Sequence, residues 1–352
     1  MVQKKGRRNN KTVRGGIWAP VLAFRHRFVD ICPCATSQHS LACRLRHSAM
    51  IAAALSIIRP KHWVKNLVVF APLIFAKELF EPHQLLTATR AFVAFCLTAS
   101  SVYVINDMAD VEWDRAHPEK RNRPLASGAM SMPAAVGLLV VLLAVAALVV
   151  IGMETRFLLF LGLYFLLNLA YSYKLKDVLL LDVFIIAAGF MLRVLGGAYA
   201  IGVLVSSWIV LCSMFISLFL GFAKRRGELV WSAHLQGPEQ NASAGGTRRV
   251  LKVYRVDFLD QMLTISAAGA VISYALYTVA PRTVEMFGTD KLIYTTVFVI
   301  YGVFRYIYIV HTTGRSENPT NALTSDFPIL FNGALWILFC VYLIYFHRKI
   351  FW

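Results

Sequence analysis

Nine stretches of apolar sequence follow one another after residue 50, at about 64–80, 86–106, 132–152, 156–172, 179–201, 204–223, 258–280, 291–310 and 328–346. Helical runs near ~20 residues match the ~30 Å hydrocarbon layer of a bilayer. Inside hydrocarbon every backbone N–H and C=O must be satisfied within the protein, and for long unbroken apolar runs that means the α-helix. Composition agrees: 16% of the 352 residues are charged and 58% are hydrophobic, whereas a soluble domain carries about a quarter charged. The expected fold class is an all-α polytopic membrane protein, a bundle of nine transmembrane helices.

The formal net charge is +17. Residues 1–49 hold ten Lys/Arg against one acid, Asp30, and so supply +9 of it. This segment has no sustained apolar period and is expected to be a basic, disordered extension, with the integral membrane domain over 50–352. Met50 stands just before the first recognisable element and is a candidate start. With the N-terminus in the cytoplasm, the cytoplasmic flanks and loops carry seventeen Lys/Arg and the opposite side six. That bias sets orientation by the positive-inside rule. It reads the basic excess as loop charge in contact with membrane lipids, with no nucleic acid as partner. A multi-pass protein of a bacterial-type inner (cell) membrane is expected.

The longest loops, 107–131 and 224–257, fall on the cytoplasmic side, and long loops carry function more often than short ones. The first opens with Asn106-Asp107-Met108-Ala109-Asp110-Val111-Glu112-Trp113-Asp114-Arg115. At ~100° per residue, Asn106, Asp107, Asp110 and Asp114 fall within one arc of a helix of about 100°. Carboxylates clustered in a poorly hydrated site raise each other's pKa unless a cation sits among them. Mg²⁺ suits such a set, because it is held by one or two carboxylates together with substrate phosphates. The next stretch, His117-Pro118-Glu119-Lys120-Arg121-Asn122-Arg123-Pro124, adds three cations. Acids followed by bases suit a metal-bridged diphosphate, with Lys and Arg on the remaining oxygens.

These residues, with Leu125-Ala126-Ser127-Gly128 after them, resemble the first motif of the UbiA prenyltransferase superfamily, and more narrowly its decaprenyl-phosphate phosphoribosyltransferase branch. Further matches are Arg59-Pro60-Lys61-His62-Trp63-Val64-Lys65-Asn66, Tyr171-Ser172 with Leu175-Lys176 and Asp182, Arg193 with Gly196-Gly197, Gly221 with Lys224-Arg225 and Glu228, and Arg305-Tyr306. Together they cover about residues 56–346. Aromatic prenyltransferases of the superfamily carry a second acid motif, Asp-x-x-x-Asp. Here that region reads Tyr171-Ser172-Tyr173-Lys174-Leu175-Lys176-Asp177 and then Asp182, with lysines where acids would dominate.

The resemblance implies transfer of 5-phosphoribose from 5-phosphoribosyl 1-diphosphate to a polyprenyl phosphate, with Mg²⁺ as cofactor and release of diphosphate. Asn106, Asp107, Asp110 and Asp114 are the expected metal ligands, and Lys176 joins the three aspartates as a catalytic candidate. Lys65, Tyr103, Arg115, Lys120, Arg121, Arg123, Lys176, Asp182, Arg193, Lys224 and Arg225 are the substrate-binding candidates. Within them, Lys224-Arg225-Arg226 is a candidate phosphate clamp at the close of the sixth span. Arg193 lies inside the fifth span, where an Arg is costly and usually faces a polar cavity; it reads either as a contact to a lipid phosphate or as a structural pair with a buried carbonyl or carboxylate. Tyr103 and Lys65 also read as an interfacial aromatic and a snorkelling lysine. Two other functions stay in view. One is an aromatic prenyltransferase with a prenyl diphosphate donor, which the weak second acid motif disfavours. The other is a transporter, which the absence of two related halves disfavours. A homo-oligomer is compatible with the sequence.

Overall fold

The computed structural model describes residues 50–116, 120–173, 175–235, 251, 253–312 and 325–346. The basic segment 1–49 and the middle of the 224–257 loop lie outside them. All regular elements among the described residues are helical. Helix α1 covers 50–58. A 3₁₀ stretch, Pro60–Phe70, leads into α2, Ala71–Phe75. There follow α3 Pro82–Ala109, α4 Val111–Ala116, α5 Met132–Val149, α6 Thr155–Tyr173, α7 Leu181–Ala200, α8 Ser207–Leu235 and α9 Val256–Val279. The chain continues through α10 Pro281–Phe287, α11 Thr296–Thr312 and α12 Phe327–Val341, which ends in a π turn at Tyr342–Phe346. Eight of the described helices are long and apolar enough to cross a bilayer. They correspond to the second through ninth expected spans, and the chain is a multi-pass membrane protein.

The first expected span, 64–80, is not a continuous α-helix. Its 3₁₀ stretch and α2 run antiparallel to α3 in a fixed register. Trp63 Nε1 donates to Ser100 Oγ at 3.1 Å, and Asn66 Nδ2 donates to Cys96 Sγ at 3.1 Å. Further along, the Phe70 and Phe92 rings lie 5.4 Å apart, and Leu73 shares a buried cluster with Ala88. The ten residue steps from Trp63 to Leu73 thus run beside the twelve from Ser100 to Ala88. Twelve α-helical residues rise ~18 Å, so the partner advances ~1.8 Å per residue, close to the ~2.0 Å of a 3₁₀ helix. The stretched geometry lets a short segment traverse the bundle. It also lies hard against α7. A Cβ at Gly197 would stand 2.2 Å from the carbonyl oxygen of Val69, so only glycine admits that approach.

Helix α8 departs from expectation in the other direction. It does not end at residue 223 but continues to Leu235. The basic run that looked like its terminus is neutralised in place. Arg225 bonds Asp182 and Glu228, Arg226 bonds Asp260, and Lys224 lies 3.9 Å from Glu228. Paired charges no longer oppose helix continuation at the bundle end.

Candidate active site

The acid motif straddles a shallow break. Asp110 ends α3 with φ −98 and ψ 7. The hydrogen-bond ladder nevertheless continues across it, from Asp110 N to Asn106 O at 2.9 Å and from Asp114 N to Asp110 O at 2.8 Å. Asp107 and Asp114, two turns apart, therefore share a face, and both are buried at 2% and 3% exposure. Arg123 Nη1 reaches both, at 3.1 Å to Asp107 Oδ1 and 2.7 Å to Asp114 Oδ2. Arg59 Nη2 donates to Asp107 Oδ1 at 2.6 Å. Its backbone is left-handed, with φ 56 and ψ 58, a strained state that costs about 1–3 kcal/mol for a residue other than glycine. Its guanidinium lies 4.8 Å from the centre of the Tyr103 ring.

The four expected donors do not converge as one set. Asp110 lies ~60° around the helix from Asp107 and faces Lys176, whose Nζ is 3.7 Å away. Asn106 is half-buried. Among the described residues no three His, Cys, Asp or Glu side chains are grouped closely enough to hold a metal ion. Arg59, Arg123 and Lys176 supply the positive charge instead. One atom breaks the pattern: Asp107 Oδ2 is buried and has no hydrogen-bond partner among the described residues. A desolvated carboxylate oxygen left unpaired costs free energy that a cation would recover. The residues present therefore fit a divalent ion, which Asp107 and Asp114 would hold.

A group of cations adjoins these acids. Half-buried Lys65 lies within electrostatic reach of Lys224, Arg193 and Arg59, and His62 within reach of Lys65, Arg59 and Lys224. Like charges held together in partial burial make a site for an anion. From the basic stretch after the acids, Arg123 points inward, Lys120 is half-buried and Arg121 is exposed. Arg115 is exposed and pairs with Glu112 at 3.2 Å.

Asp182 and Arg225 are placed differently. Both are 0% exposed. Arg225 Nε donates to Asp182 Oδ2, Nη1 donates to Glu228 and Nη2 donates to Tyr171 Oη at 2.8 Å. The other Asp182 oxygen accepts from Tyr254 Oη at 2.8 Å, and the Tyr254 hydroxyl in turn accepts from Leu180 N at 3.0 Å. Burial pushes the Tyr254 phenol up, and its hydrogen bond to Asp182 adds to the shift. Leu180 sits at φ 66 and ψ −41, outside the comfortable regions for a branched residue. The network thus clamps the end of the segment that carries Lys176.

Arg193 is 8% exposed and its guanidinium is committed. It donates to Asn66 Oδ1 at 2.6 Å, Gly189 O at 2.9 Å and Tyr164 Oη at 2.7 Å. Arg305 donates to Asp326 at 2.9 Å, and that bond holds the Asp326 carboxyl below the usual range. Sequence reasoning put Arg59, Asn66, Tyr171 and Glu228 in matched stretches without roles, and it passed over Tyr164 and Tyr254. The available signal was Arg59 directly before Pro60, a restricted position where the α conformation is disfavoured. Nothing local marks the two tyrosines, whose partners lie on other helices.

The model of the UbiA prenyltransferase family matches residues 67–327. A decaprenyl-phosphate phosphoribosyltransferase of Mycolicibacterium smegmatis is 37% identical over 65% of this chain and 70% of its own length. One from Corynebacterium glutamicum is 35% identical over 63% of this chain and 66% of its own. Among solved structures, a UbiA homolog from Archaeoglobus fulgidus bound to GPP and Mg²⁺ aligns with TM-score 0.63 at 18% identity, covering 83% of this chain and 99% of that one.

Proposed function

The chain belongs to the UbiA prenyltransferase family, and within it we propose a phosphoribosyltransferase that moves 5-phosphoribose from 5-phosphoribosyl 1-diphosphate to a polyprenyl phosphate. The observation that carries this reading is one end of the bundle, where buried Asp107 and Asp114 meet Arg59 and Arg123 beside the cations Lys65 and Lys224. Two anionic substrates must approach each other there, and fixed cations offset their repulsion. The names of the relatives support the same donor and acceptor.

In this reading an acceptor phosphate oxygen attacks the anomeric carbon, a new C–O bond forms, and the bond to diphosphate breaks with its electrons on the leaving oxygen. The acceptor phosphate is largely ionised near neutral pH, its second pKa being ~6, so no strong base is needed. Asp107 and Asp114, with Asp110 and Asn106 nearby, would hold a Mg²⁺, which when bound would supply Lewis-acid stabilisation of the leaving group. Arg123 and Arg59 hold the two buried carboxylates in position. Lys176 sits across from Asp110 and takes donor phosphate, and Lys65 and Lys224 face the acceptor phosphate. Lys120, Arg121 and Arg115 line the rim on the cytoplasmic side. Asp182, Arg225 and Arg193, whose polar groups are engaged with protein, position these walls from behind.

The test is direct. Purified protein in nanodiscs receives labelled phosphoribosyl diphosphate and polyprenyl phosphate, or a prenyl diphosphate with an aromatic acceptor. Label entering a lipid phosphodiester is expected with the first pair. Turnover only with the second pair assigns the protein to aromatic prenyl transfer.

A further inference from the structure

At the end of the bundle away from the acids, an apolar groove of ≈ 250 Å³ opens between α2, the 201–206 connection and α10. Pro72, Phe75, Val203, Leu204, Ile209 and Met286 line it, and Arg282 stands at its edge. Its position follows from the register of the first crossing. That segment starts at Arg59 on Asp107 and finishes at Lys77, which donates to the carbonyl of Met286 at 2.8 Å. A second small cavity continues the groove past Tyr277 and Thr283, again beside Arg282.

Arg282 differs from the other described cations at this end. Lys77 is bonded to the end of α10, Arg156 lies 3.9 Å from Glu154 and over the Tyr199 ring, and Lys291 has a partner. Arg282 is exposed and makes no hydrogen bond or ion pair with any described residue. A guanidinium is rigid, always charged and suited to bidentate contact with phosphate. This one lines an apolar slot and stands three residues past the end of the apolar helix α9. We propose that this groove is a binding site for an anionic phospholipid, with the headgroup phosphate on Arg282 and an acyl chain against Phe75, Leu204, Ile209 and Met286. The lipid seals the joint between the end of the stretched first crossing and α10, where Lys77 Nζ donates to the carbonyls of Met286 and Phe287.

The experiment is native mass spectrometry of the full chain released from nanodiscs of phosphatidylglycerol and phosphatidylcholine mixed equally, with polyprenyl phosphate added at trace level. Wild type is expected to retain one phosphatidylglycerol in preference to phosphatidylcholine. Arg282→Gln should lose that preference by about five-fold, the worth of one basic side chain at an anionic membrane surface. Arg282→Lys should keep most of it, and Leu204→Trp, which fills the slot, should lose retention of either lipid. Equal retention of both phospholipids by wild type, or an unchanged preference in Arg282→Gln, overturns the proposal. So does retention of the polyprenyl phosphate in place of the phospholipid, sensitive to Leu204→Trp. Turnover at the acid end is not the readout, so failure here leaves the proposed transfer untouched.

Discussion

Asp107 and Asp182 are both buried aspartates beside arginines near one end of the bundle, yet their surroundings differ. Asp107 has one oxygen shared by Arg59 and Arg123, neither of them fully buried, and one oxygen with no partner among the described residues. Asp182 has both oxygens occupied, by a fully buried Arg225 and by Tyr254. An unsatisfied, desolvated oxygen is a reason to bind a cation, and a saturated one is not. The difference separates a candidate ligand from a scaffold, whereas the sequence put both at the site, Asp107 as a metal ligand and Asp182 as a substrate contact.

Asp107→Asn tests that separation most severely. It removes charge where diphosphate departs, and turnover should fall at least about a hundred-fold, the scale of losing one transition-state contact. The protein should still insert and elute as the wild type does on size exclusion. Unfolding of this variant would put Asp107 in the scaffold class.

Arg225→Met should do the reverse. Leaving Asp182 buried and unpaired should cost about 3–5 kcal/mol of stability, read as a lower denaturant midpoint, while residual folded enzyme keeps its KM for both substrates. A KM change without loss of stability would make Arg225 a substrate contact.

Lys176→Ala sits between the two classes, since Lys176 faces Asp110 on a segment whose end at Leu180 the Asp182 network clamps. Steady-state kinetics should show the KM for the ribosyl donor raised about 30-fold, near the lower bound for truncating a charged phosphate partner, with a smaller effect for the lipid acceptor. The opposite split reverses the two walls. Tyr254→Phe is the mildest change, because it removes one hydroxyl from Leu180 N and Asp182. It should cost about 1–3 kcal/mol of stability, and a donor KM shift exceeding that of Lys176→Ala would contradict its supporting role.

The sequence carried the spans because apolar length is a local property. It carried the acid motif because Asp107 and Asp114 stand two helical turns apart. It did not carry the 3₁₀ form of the first crossing, which is set by the register of Trp63 and Asn66 against Ser100 and Cys96. It placed the end of α8 too early, because Asp182, Glu228 and Asp260 neutralise the basic run from positions that only the fold brings near. The same reason hid the saturation of Arg225, whose partners Asp182 and Tyr171 stand on neighbouring helices, whereas a structural pairing of Arg193 with a buried carbonyl was one of its two readings and is met at Gly189 O.

Manganese binding followed by electron paramagnetic resonance compares the two acid sites without substrate or turnover. Wild type and Asp182→Asn, in whatever fraction folds, should bind the ion with similar affinity, whereas Asp107→Asn should bind it at least about ten-fold more weakly, as one lost charge contact of ~1.4 kcal/mol or more requires. Undiminished binding in Asp107→Asn, or binding lost specifically in folded Asp182→Asn, would contradict the division between ligand and scaffold.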